Sequence, residues 1–111
     1  MISYIQEIDK VRMTMQALGI VKSERNFSEH CLGKSANYFG SKKATKTNIG
    51  IPALTNLYSA IKQIRSSGLF SGVAFNNTYS KELEHCQDIV GEVIRMQLQQ
   101  RVCSGNILYI G

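Results

Sequence analysis

The stretch Asn26-Phe27-Ser28-Glu29-His30-Cys31-Leu32-Gly33-Lys34-Ser35-Ala36-Asn37-Tyr38-Phe39-Gly40-Ser41-Lys42-Lys43 holds two short helical patterns on either side of a glycine, and its reading decides the fold. Asn26 with Glu29 three residues on has the form of a capping box, and Phe27, Cys31 and Leu32 then form an inward edge. Gly33 supplies the left-handed backbone that ends a helix and turns the chain. Ser35 predicts a fresh N-cap, followed by a helix over residues 36–43 that is mostly small or polar with two basic residues at its end, and in which only Ala36 and Phe39 form an inward edge.

On the N-terminal side, Ile5, Ile8, Val11, Met15 and Leu18 repeat at spacings of three and four and predict an amphipathic helix over residues 3–18, stopped by Gly19. On the C-terminal side, residues 44–50 have no periodicity and read as a loop. Pro52 suits the first turn of a further helix whose stripe is Leu54, Leu57, Tyr58, Ile61 and Ile64, ending at Ser66, Ser67 and Gly68. Residues 68–78 read as a connection, and Leu83, Cys86, Val90, Val93, Ile94, Leu98 and Val102 mark a long last helix over residues 80–102. Residues 106–111 form an apolar tail.

These elements predict an all-α protein: a compact bundle of about five helices with a long C-terminal helix and a short apolar tail. The 111 residues, 43% of them apolar and 19% charged, fit one globular domain and exclude the composition of a disordered chain. Within it, residues 1–72 form the core and residues 73–111 an element that outgrows it, which makes Leu83, Val90, Ile94 and Leu98 candidates for a homodimer contact. No apolar run reaches the roughly 20 residues of a membrane span, so neither a membrane partner nor a secretory leader is expected, and the cytoplasm is the expected location. The cysteines (Cys31, Cys86 and Cys103) lack ligand spacing, so no metal is expected and the thiols are read as buried and reduced.

Charge is concentrated in one segment. The net charge is +5, and residues 22–46 carry six basic side chains against two acidic ones, whereas residues 73–111 are slightly acidic. A positive field focused on one surface suits a polyanion, although charge by itself fits a solvated face equally well.

The segment from Phe27 to Ser35, with Ala36 to Lys43 after it and the Pro52, Leu54, Leu57, Tyr58, Ile61 helix behind it, resembles the helix-turn-helix of phage-repressor and Cro-like DNA-binding proteins. The resemblance covers about 40 residues. It implies double-stranded DNA as the partner and a transcriptional regulator of repressor type, with the helix near residues 35–43 in the major groove. Ser35 and Asn37 are then the candidates for base edges, Lys34 for base or backbone, and Lys42, Lys43 and Lys46 for phosphates. Ser41 lies on the same helix, and Tyr38 reads equally as a DNA contact or as half-buried packing. His30 and His85 read as surface residues.

No catalytic signature is visible: there is no Gly-rich phosphate loop, no H-E-x-x-H and no G-x-S-x-G, so neither an enzyme nor a cofactor is expected. The competing reading is a protein-interaction module, antitoxin-like or inhibitory, that presents the stripe of the last helix to a partner.

Overall fold

The computed structural model describes residues 3–67 and 77–103, and they are all-α. Five helices follow in order: α1 Ile5–Ala17, α2 Glu24–His30, α3 Tyr38–Thr45, α4 Ile51–Ser67 and α5 Asn77–Cys103. The apolar tail at 106–111, the connection at 68–76 and the side chain of Val102 lie outside the described residues.

The long helices make the scaffold. α5 packs against both α4 and α1. The predicted stripes are the buried ones: Ile5, Ile8, Val11 and Met15 of α1; Ala53, Leu54, Leu57 and Ile61 of α4; Leu83, Cys86, Val90 and Val93 of α5. Leu18, Tyr58, Ile64 and Ile94 pack at its edge. Fully burying each large aliphatic chain contributes roughly 1.5–3 kcal/mol, so these stripes carry most of the driving force. Leu83 and Val90 are both 0% exposed. Their expected role in a homodimer contact is corrected here, because α1 and α4 of the same chain already cover that side of α5.

The short helices are held by specific contacts. Ser23, not Asn26, caps α2: its hydroxyl accepts from the Asn26 amide at 3.1 Å, while the Asn26 side chain accepts from the Lys22 amide. After α2, Gly33 takes φ +68° and the Lys34 amide folds back on the Ser28 carbonyl at 3.0 Å. The Asn56 amide from α4 donates to the Leu32 carbonyl at 3.0 Å and pins this corner.

α3 begins at Tyr38, two residues later than the helix expected over residues 36–43, and extends to Thr45. The reason is long-range. Ser28 of α2, fully buried, accepts the Phe39 amide at 3.0 Å, so a hydroxyl from the neighbouring helix caps α3. Ser35 contributes only its carbonyl, to the turn leading into Tyr38. Phe27 and Phe39 pack edge to face with centroids 5.1 Å apart and close the α2–α3 interface.

Candidate functional site

An eight-residue helix turns 100° per residue, so its three faces meet three environments. The Phe39 and Lys43 side faces inward. Lys43 pairs with Glu24 of α2 and lies 3.7 Å from Asp9 of α1, with its ammonium over the Phe39 ring. Arg12 completes the cluster, 2.8 Å from Asp9 and 3.9 Å from Glu24. The expectation that Lys43 reaches phosphate alongside Lys42 is therefore corrected: neighbours in a helix cannot share a face, and Lys43 bolts α3 to α1 and α2.

The second face is cationic. Tyr38 lies under two ammonium groups, Lys34 at 5.7 Å and Lys42 at 5.4 Å from its ring centroid. Its hydroxyl accepts from the Gly50 amide at 3.1 Å, so the ring is half-buried and fixed, which is the packing alternative for Tyr38. None of the ion pairs among the described residues takes Lys34, Lys42 or Lys46. Lys46, exposed at the end of α3, is the one described non-glycine residue with positive φ, +55°.

The third face is small and polar. Asn37, Ser41 and Ala44 are exposed along it, and with Glu24, Arg25, Ala36 and Gly40 they line an open groove of about 420 Å³ between α3 and the start of α2. Asn37 is exposed and its side chain makes no cap bond. Lys34 and Ser35 are exposed in the turn before α3. Of the residues expected at the site, Lys34, Ser35, Asn37, Ser41, Lys42 and Lys46 thus border one surface, Tyr38 supports it, and Lys43 is withdrawn from it. Arg25, across the groove, lies on α2, and only the α2–α3 packing brings it beside α3.

His30 and His85 are exposed, and no His, Cys, Asp and Glu group among the described residues could hold a metal. Burial pushes the Cys31 thiol up to about 11. Burial also pushes the Cys86 thiol to about 11, against a hydrogen bond from Thr14 that lowers it and with Glu82 adding to the rise. No helix is long and apolar enough to cross a membrane among the described residues. Leu98 of α5 is 42% exposed, and Ile94 packs at the core edge.

No curated protein and no solved structure matches the chain. Residues 8–103, spanning α1 to the end of α5, match a family described only as one of unknown function, DUF6626, and the chain belongs to that family.

Proposed function

We propose that this protein binds double-stranded DNA and acts as a transcriptional regulator of repressor type, with α3 as the element that enters the major groove. The observation that carries the proposal is the composition of the outward surface of α3. A small polar stripe, Asn37, Ser41 and Ala44, runs between the cations Lys34 and Lys42 on one side and Arg25 on the other, with Lys46 at the end. A major groove about 12 Å wide admits one helix, short side chains let its axis approach base edges, and flanking cations neutralise phosphates. Asn37 has the donor and acceptor needed for a bidentate pair with adenine. The rigid seating of α3 on α2 and α1 favours this reading, because a recognition element must hold its orientation while phosphate contacts pull on it.

The test is a gel shift on pooled random duplexes across a salt series. Retention at low salt, falling steeply as salt rises, is the expected result. Asn37→Ala should broaden the selected sequences without altering the salt slope. Absence of any retardation at low salt would remove the proposal, and so would retention indifferent to the loss of Lys42 and Lys46 together.

A further inference from the structure

Between the start of α1 and the middle of α5 lies an open groove of about 510 Å³ that shares no residue with the α3 surface. Its floor is apolar: Tyr4, Ile89, Val93 and Met96. Its rim is acidic, formed by Glu7, Asp88 and Glu92, and no basic residue among the described ones lines it. From these observations we infer that the groove docks a basic amphipathic helix of a partner protein.

Three features point to that occupant. The floor residues Ile89, Val93 and Met96 follow at spacings of four and three, roughly 10 Å along α5, the footprint of two turns of an amphipathic helix laid in a groove. Glu84, Asp88 and Glu92 also recur every fourth residue along α5, an arrangement that destabilises an isolated helix by about 0.2–0.5 kcal/mol per like-charged pair. Arg65 of α4 offsets this at Glu84, at 3.3 Å, but Asp88 and Glu92 edge the groove. The cations near the rim are surface neighbours one turn away, Lys10 with Glu7 and Arg95 with Glu92, and such exposed pairs exchange readily for an incoming Lys or Arg. An acidic rim repels nucleic acid and anionic lipid. In a two-fold dimer it would meet its own copy, which disfavours a second chain as the occupant.

The net charge of +5 makes the test discriminating, because the protein as a whole repels a cationic peptide and only a local acidic groove can capture one. Fluorescein-labelled amphipathic helices of Leu and Lys, and of Leu and Glu, are titrated with the full chain and followed by anisotropy. The Leu/Lys peptide binds and the Leu/Glu peptide does not. Asp88→Lys with Glu92→Lys, both exposed positions, weakens the Leu/Lys peptide about tenfold or more and admits the Leu/Glu peptide, while helical circular dichroism stays unchanged. Equal binding of both peptides, binding of neither, or binding indifferent to the charge reversal overturns the inference. So does a dimer by light scattering that dissociates in the charge-reversed variant, since the occupant would then be a second copy. The outcome is independent of the gel shift, which tests α3 alone.

Discussion

The Nδ2 atom of Asn56, which donates to the Leu32 carbonyl, stands 2.9 Å from the point a Cβ on Gly33 would occupy. The glycine is therefore required twice, by its φ of +68° and by the side chain that fills the space beside it. Gly33→Ala should lower stability by at least about 1–2 kcal/mol from left-handed backbone strain alone, read as the midpoint of a urea transition. Asn56→Ala should cost about 1 kcal/mol through the unpaired Leu32 carbonyl. The double variant should lose less than the sum, because the clash vanishes with the amide. Additive losses would show that the two residues do not touch.

Adjacent lysines on α3 should behave differently. Lys42→Ala should leave stability within about 0.5 kcal/mol but reduce the slope of log affinity for DNA against log salt by about one. Lys43→Ala removes the partner of Glu24 and Asp9 and should lower stability by up to about 1 kcal/mol, since both sides of that pair are partly exposed. Its effect on the salt slope should be the smaller of the two. Denaturation and salt-titrated gel shifts on both variants separate the roles.

Lys46 closes α3 where glycine is the cheaper residue. α1 ends the same way with Gly19: in each case the amide after the left-handed residue reaches back five positions, Ile20 to Met15 at 2.9 Å and Thr47 to Lys42 at 3.0 Å. Lys46→Gly should therefore stabilise the fold, by about 1 kcal/mol, and at the same time weaken DNA retention. A thermal shift and a gel shift on one preparation test both. Loss of stability would mean that the lysine stem packs more usefully than its backbone strain costs.

The buried thiols make stability depend on alkaline pH. Both pKa values lie above the ordinary 9.0, at about 11 in the folded chain, so the native state holds its protons more tightly than the unfolded one. That contribution is complete below pH 9 and should be lost as pH rises through about 11. Cys31→Ala with Cys86→Ala should flatten the stability profile above pH 9 while lowering stability at neutral pH. Slow alkylation of the native thiols by iodoacetamide at pH 8, and fast alkylation in denaturant, checks the same point.

What could be read from the chain follows the range of the forces involved. Gly33, the α1 and α4 stripes and the inward edge of α2 were legible because helix period and glycine freedom are local properties. The α2 cap was not, since Ser23 and Asn26 are both good cap residues and Asn26 is used one turn in, on the Lys22 amide. The start of α3 depends on the Ser28 hydroxyl, a contact across eleven residues. Periodicity identified the stripe of α5 but not what covers it: Leu83 and Val90 looked available to a second chain until α1 and α4 were in place. The acidic rim gave no local signal either, because Glu7 belongs to α1 and its companions to α5.

The borrowed cap on α3 has a practical consequence. Helices of seven and eight residues fall well short of the roughly 12–15 that persist alone in water. A synthetic peptide copied from residues 23–46 would thus be a random coil, and transplanting α3 onto another scaffold would fail unless the graft brought a serine at the position of Ser28 and an aromatic pair to set its depth. Any engineering of altered specificity has to treat the two helices as a single cartridge, exchanged whole.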